Sequence, residues 1–254
     1  MDRMKVIAGL LIVIALAGLS AGVQAQDDNG LVAEWHFDEG SGSVVEDSSG
    51  NGNDGVIYGA TWVEGKYGKA LSFDGTDDYI SQKSLFHNIV NTFTTELWVY
   101  PGAVHQIDSE STSRTLGTSG QRYAIWPPHG DASYGASNAG AGISIGTNGV
   151  SVYEHAAHYM PPLLVHSGAI SSWTHVVVVY ENKQIKLYLN GNLIRTRTSP
   201  KEYVHPSGQI GGGSYGYFNG IIDEVRIYNR ALTAEETLMT HGDTHEHENV
   251  ARMP

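Results

Sequence analysis

Residues 35–55 read WHFDEGSGSVVEDSSGNGNDG, and residues 218–236 read FNGIIDEVRIYNRALTAEE. Both stretches are short alternating strand patterns broken by Gly, Asn and Asp, and both place acidic groups where a strand ends. A chain that opens and closes on the same kind of element is expected to pair its termini in one sheet. That predicts an all-β chain, a closed antiparallel sandwich whose function sits in rim loops rather than in a deep α/β cleft.

Working outward, strand patterns dominate. Runs at 31–37, 70–73, 93–100, 121–126, 141–145, 150–155, 173–180, 184–189, 193–196 and 221–228 are rich in β-branched and aromatic residues and are separated by glycine-rich punctuation. Asn190-Gly191 between two such runs is a two-residue hairpin signal, because Asn-Gly accepts the positive φ angles of a type I′ turn. Thr147-Asn148-Gly149 is read in the same way. The run His175–Tyr180 is apolar on both faces and predicts a central strand covered above and below. One short C-terminal helix is expected, with Thr233 as its cap and Glu236 completing a capping box. Residues 104–140, rich in Ser, Gly and Pro, are read as extended rim loops.

The first segment stands apart. Met1–Lys5 is short and charged, Val6–Leu19 is an apolar run of 14 residues, and Val23-Gln24-Ala25 offers small residues for cleavage. The run is shorter than the about 20 residues a membrane span needs, so residues 1–25 predict a secretory signal peptide. Residues 28–240 then form one sandwich domain, and 241–254 a polar His/Glu-rich tail. The chain has no cysteine, so a core of this size must hold without disulfides. Its net charge of −12 with no basic cluster argues against nucleic acid and anionic membrane as partners.

The motifs WHFDEGSG, DSSGNGNDG, GKALSFDGTDDYI (residues 68–80), WTHVVVVYENKQIKLYLNGNLI (residues 173–194) and GIIDEVRIYNRAL (residues 220–232) occur in an order and spacing that resemble the laminin-G-like domains of the concanavalin A-like lectin/glucanase superfamily, most similar to its cysteine-free microbial branch. The resemblance covers roughly residues 31–236. It implies a two-sheet antiparallel jelly-roll β-sandwich, a role in carbohydrate binding or adhesion, and one calcium ion near the rim. Carried onto this chain, it implies calcium ligands from the Asp38 carboxylate, the Ser43 carbonyl, an Asn53 oxygen and the Asp223 carboxylate. Calcium takes about six to eight hard oxygens and relieves the repulsion of two close carboxylates, which suits Asp38 and Asp223 if the terminal strands pair. The competing reading is that Asp47, Asn51, Asn53, Asp54, Asp74 and Asp77 only make Asx-turns. No EF-hand is present, since the twelfth position from Asp47 is Tyr58 rather than Glu.

Several patterns carry no chemistry. Gly142–Gly146 matches the G-x-S-x-G of hydrolases around Ser144, but a turn and another strand follow instead of a helix. Gly211–Gly216 matches G-x-G-x-x-G but leads into a strand, so it offers no helix terminus to a pyrophosphate. Glu154-His155-Ala-Ala-His158 has the wrong spacing and setting for a zinc helix. Asp223 to Tyr228 is read as a plain strand in which Val225 and Ile227 share the Asp223 face, while Glu224 and Arg226 form an ion pair on the other. No alternating carboxylate pair of the glycosidase kind occurs on any strand, so the chain is expected not to be an enzyme.

Ligand candidates are aromatic: Tyr123, Trp126, Tyr134, Tyr153, Tyr159, Tyr215 and Tyr217 fall in or beside expected loops. Sugars stack on such faces, and neutral polar ligands suit a chain without basic patches. Arg122, Tyr123, Trp126, Tyr153 and His155 are the expected contacts. The leading expectation is a secreted, calcium-containing module that binds a glycan or a cell-surface or extracellular protein. A structural component of a microbial envelope or extracellular matrix is the alternative, and a glycosidase-like enzyme on the same fold the third.

Overall fold

A computed structural model describes residues 30–82 and 86–242. The expected signal peptide and most of the expected tail lie outside the described residues. In chain order the elements are β1 (Leu31–Trp35), β2 (Val44–Val45), β3 (Gly55–Tyr58), β4 (Thr61–Glu64), β5 (Lys69–Asp74), β6 (Tyr79–Gln82), β7 (Phe93–Pro101), β8 (Tyr123–Ile125) and α1 (Gly130–Tyr134). There follow β9 (Asn138–Gly146), β10 (Gly149–His155), β11 (Pro162–Ser167), β12 (Thr174–Glu181), β13 (Gln184–Leu189), β14 (Asn192–Thr198), β15 (Tyr203–His205), β16 (Gly212–Gly213), β17 (Gly216–Tyr217), β18 (Asn219–Tyr228) and α2 (Ala234–Gly242).

One sheet runs β14-β13-β12-β7-β18-β5-β4, with β1 also paired to β18. The facing sheet runs β11-β10-β9-β8-β17-β16, with β15 beside β9, and the three strands β2-β3-β6 connect to it through the bridges of Ile210 to Ile80 and Ile125. The first and last long strands are antiparallel neighbours, Trp35 opposite Val225, as the matching ends of the chain predict. Between the sheets lies one core that includes Trp35, Leu97, Ile143, Val152, Val178 and Val225. β12 is interior, between β7 and β13. Its Val176, Val178 and Tyr180 enter this core, while Val177 and Val179 pack with Tyr188 on the opposite face.

The local signals hold where adjacent residues decide them. Asn190 and Gly191 take φ of 50° and 73°, as a type I′ turn demands. Thr233 Oγ1 accepts from Glu236 N at 3.2 Å, and Thr233 N donates to Glu236 Oε2 at 2.8 Å, closing the capping box at the start of α2.

Four readings need correction. Residues 104–140 are not all loop: besides β8, which falls in the expected run 121–126, they contain the single-turn helix α1 and the start of β9. There are accordingly two helices among the described residues, not one. The turn before Gly149 is not of the Asn-Gly kind, because Gly149 alone of Thr147–Gly149 has positive φ. Finally, β18 is not a plain strand. Asp223 lies opposite Trp98 and Arg226 opposite Glu96, so β18 carries one extra residue, with Glu224 at φ 51°. Ile222 and Val225 both enter the core across this bulge. The alternation slips by one, and Asp223 shares the outer face of the sheet with Arg226 instead of the core face with Val225.

Candidate functional site

The bulge sets the position of Asp223. Its carboxylate is buried, and Oδ2 accepts from the backbone N–H groups of Lys66 and Tyr67 at 2.8 and 3.0 Å. Asp38 reaches the same turn from the end of β1, accepting from Lys69 N at 2.7 Å through Oδ1. Gly65 and Gly68 permit this approach: a Cβ on Gly65 would lie 2.6 Å from Asp223 Oδ2, and one on Gly68 would collide with Asp38 Oδ1. The structure thus brings Asp38 and Asp223 to one five-residue turn.

Ser43 and Asn53 are placed by other bonds. The Ser43 carbonyl accepts from Ile57 N at 2.9 Å, and the Asn53 carbonyl from Trp35 Nε1 at 3.0 Å. Asn53 Nδ2 donates to Val32 O at 2.9 Å. Each carbonyl keeps a second lone pair. The fit of a cation at the turn shared by Asp38 and Asp223 rests on Asp223, whose Oδ1 is buried with no hydrogen-bond partner among the described residues. Burial, reinforced by the Glu224 charge, pushes its carboxyl up to about 7. A cation at Oδ1 would reverse that shift.

Asp47 organises the loop that follows. It accepts from Glu34 N, Ser49 N and Asn53 N at 3.0, 3.0 and 2.8 Å, which is the Asx-turn reading carried out across strands. In the next acidic turn, Asp74, Asp77 and Asp78 hold carboxylate oxygens within 4.8 Å of one another and could bind a metal ion. Asp78 is buried while its two partners are exposed; burial and the neighbouring Asp74 and Asp77 charges raise its carboxyl.

The five expected ligand contacts separate into a floor and a rim. Tyr123 and Tyr153 are fully buried, edge-on with centroids 5.6 Å apart, beneath Met160 and residues near Gly117. Tyr123 Oη donates to Gly117 O at 2.8 Å. They support the surface and do not form it. Arg122 clamps the 74–78 turn, its Nη1 donating to Gly75 O at 3.1 Å and Tyr217 O at 3.3 Å. Trp126 and His155 are also largely covered, 9% and 6% exposed, and reach the surface beside the half-buried Tyr215 and His129. Ser144 is buried within β9, its Oγ accepting from Arg122 N at 2.9 Å.

Sequence reasoning missed a charge cluster on the outer face of the larger sheet. Arg226 contacts Glu34 at 2.5 Å, Glu224 at 2.8 Å and Glu96 at 3.3 Å. His36 meets Glu224 at 3.0 Å and Glu34 at 3.6 Å, and His175 meets Glu96 at 3.6 Å. Only the Glu224–Arg226 pair was visible beforehand. Glu224 is buried and Arg226 partly covered, because β1, β7 and β12 bring the other members in from remote positions.

A sandwich of these two main sheets, with its termini paired and its loops gathered at the ends, is the jelly-roll architecture. A model of the concanavalin A-like lectin/glucanase superfamily matches residues 74–237, and the chain belongs to that family. Among solved structures, domain 4 of AbnA, a GH43 extracellular arabinanase from Geobacillus stearothermophilus, in complex with arabinotriose, is similar at 22% identity and a TM-score of 0.55, covering 82% of this chain and 97% of that one. The binding domain of botulinum neurotoxin DC in complex with rat synaptotagmin II gives 13% identity and a TM-score of 0.57, covering 84% and 51%. The binding domain of Paraclostridial Mosquitocidal Protein 1 gives 15% and 0.56, covering 84% and 52%. The chain spans about half the length of the latter two. At these identities the likeness is one of fold. No curated protein matches the chain. No helix among the described residues is long and apolar enough to cross a membrane.

Proposed function

We propose that the chain is a secreted, calcium-containing carbohydrate-binding or adhesion module without catalytic activity. The observation that carries the binding part is the aromatic cluster: Trp126, half-buried Tyr215 and the imidazoles of His155 and His129 meet where β8 and β10 end and the β16–β17 turn passes. Aromatic faces beside neutral polar groups are the usual composition of a sugar site. The arabinotriose bound to the arabinanase domain, and the ganglioside interaction on which cell entry of botulinum neurotoxin type C depends, support the same reading by analogy. A glycan-array screen of the chain from Gln26 onward, with and without chelator, tests it. Absence of any glycan binding in both conditions counts against it.

Calcium is assigned to Asp38 and Asp223, with carbonyl oxygens of Ser43 and Asn53 as further ligands. The site binds the native state and not the unfolded chain, so calcium at 100 times its dissociation constant should add about 2.7 kcal/mol of stability. Thermal or urea unfolding should show that increment in wild type and lose most of it in Asp223→Asn and Asp38→Asn. Loss in Asp77→Asn instead would move the ion to the 74–78 turn, and curves indifferent to calcium would leave turn chemistry alone. Export should remove residues 1–25, so mass spectrometry of secreted material should find its N-terminus at or within a few residues of Gln26. Full-length protein retained in the membrane would contradict this.

The catalytic reading is weakened by the placement of the carboxylates. Glu34 is tied to Arg226, and Glu154 is fully buried among hydroxyl groups. The matrix reading retains one favourable observation: Val44, Val56 and Tyr58 are exposed together on the β2-β3 hairpin. Concentration-dependent assembly of the purified chain would favour it over a monomeric binder.

A further inference from the structure

Gly211–Gly216, which matches a nucleotide-binding pattern only in letters, has a different use. Gly212 takes a φ of 125°, and a Cβ on Gly213 would lie 2.8 Å from the Trp126 ring. Without side chains at these positions the loop lies on the indole and lays Tyr215 over it, centroids 5.2 Å apart and planes 30° from parallel. His155 stands edge-on to Tyr215 at 5.4 Å, and His129 edge-on to His155 at 4.7 Å.

The backbone fixes the two tautomers in opposite senses. His155 Nδ1 is 3.0 Å from the carbonyl oxygen of Pro127, which can only accept, so Nδ1 carries the proton and Nε2 presents a lone pair. His129 Nδ1 accepts from Ala132 N at 3.3 Å, so in the neutral ring its Nε2 is the N–H donor. Burial, with the neighbouring His129 adding to it, lowers the His155 pKa and keeps that ring neutral near pH 7. Neither Nε2, nor the Trp126 Nε1–H, nor the Tyr215 hydroxyl has a hydrogen-bond partner among the described residues.

We infer that Tyr215, Trp126, His129 and His155 form a subsite for one neutral sugar unit. A C–H face of the sugar lies on Tyr215, and a hydroxyl donates to His155 Nε2 while accepting from His129 Nε2–H. A hydroxyl does both at once, which an ionised carboxylate, a fully ionised phosphate or an ammonium cannot. A bound metal ion fits poorly, because the set offers one free imidazole lone pair and the His129 Nδ1 lone pair is already taken. The subsite rests on the carbohydrate-binding reading and gives it a ligand class and an address.

The test is titration of the whole chain with arabinotriose, xylotriose and maltotriose, with sialyllactose as the anionic control. Calorimetry or NMR shifts read the binding, and urea unfolding verifies each variant's fold. Tyr215→Ala should weaken binding of the best neutral sugar about tenfold through lost stacking. His155→Ala should do the same, and His155→Gln, which can still accept a hydrogen bond, should recover most of the loss. Tyr203→Ala, an exposed tyrosine elsewhere, should change nothing. If wild type binds a neutral sugar and a folded Tyr215→Ala binds it equally well, the subsite is wrong and the carbohydrate reading survives. If none of the neutral probes binds, the reading and the subsite fail together. Tighter binding of sialyllactose than of every neutral probe would overturn the ligand class. Should His155→Ala fail to fold, the loop variant Tyr215→Ala alone decides.

Discussion

Replacing Arg226 by leucine is expected to cost the folded chain about 3–5 kcal/mol, the usual penalty for leaving buried charges without their partner. One guanidinium serves Glu34, Glu96 and Glu224 at once, and the side chains of Glu96 and Glu224 are 0% and 1% exposed. Without it, the three carboxylates keep the imidazoles of His36 and His175 as charged neighbours, and Glu96 keeps the Tyr228 hydroxyl at 3.2 Å. Arg226→Lys should recover little, since a single ammonium cannot match a fork that reaches three acids. The pH dependence follows from two members. For Glu34, burial opposes ionisation, but the His36 hydrogen bond and the Arg226 charge outweigh it and hold its carboxyl down at about 2. Its stabilisation is therefore present above the unfolded value of 4.5 and lost as pH falls through about 2. For His36, burial again opposes the charge, but Glu224 and Glu34 raise the imidazole to about 10, so its share is complete below 6.5 and fades as pH rises through about 10. The cluster should stabilise most between pH 4.5 and 6.5. Urea unfolding of wild type and Arg226→Leu across pH 2–10 measures both effects. A difference under about 1 kcal/mol at pH 6 would show that the cluster contributes no more than a surface pair.

Glu154→Gln should do the opposite above neutrality and stabilise the protein. Glu154 is fully buried and accepts from Ser199 Oγ at 2.8 Å, Tyr180 Oη at 3.2 Å and Tyr159 Oη at 3.5 Å. Those hydrogen bonds favour the anion, yet burial outweighs them and pushes the carboxyl up from 4.5 to about 7. A carboxyl raised in the folded state contributes fully below its unfolded pKa, and the contribution disappears as pH climbs through the folded value. Wild type should therefore lose on the order of 3 kcal/mol from this group between about pH 4.5 and 8. Glutamine has the same shape, accepts and donates in place, and does not titrate. The two proteins should be close in stability at pH 5 and separate in favour of Glu154→Gln at pH 8. Parallel stability curves across that range would mean that Glu154 is already ionised, or already protonated, throughout.

Much of the architecture was legible because neighbouring residues carry it. The strand runs Phe93–Tyr100 and Trp173–Tyr180, the Asn190-Gly191 turn and the Thr233/Glu236 cap are decided within a few residues by β propensity, φ preferences and capping chemistry, and the structure follows them. The matching ends of the chain correctly placed β1 beside β18, and so brought Asp38 and Asp223 to a common turn. The acidic loops were legible in the same way, since an Asx side chain bonds its own neighbourhood.

What only the tertiary structure decided is which side of each strand is covered, and by what. A single extra residue at Glu224 turns Asp223 from the core face to the outer face, because alternation has a period of two and a slip of one exchanges the faces. Residues near Gly117 and Met160 bury Tyr123 and Tyr153, so two aromatics that look like sugar platforms in the sequence are floor. Tyr215 reaches Trp126 across 89 positions of chain, and Arg226 reaches Glu34 across 192, through sheet neighbours with no local signature. Local pattern records what a strand can present to either face. Only the packing of remote segments, by removing water from one face and leaving it at the other, determines which groups remain to bind.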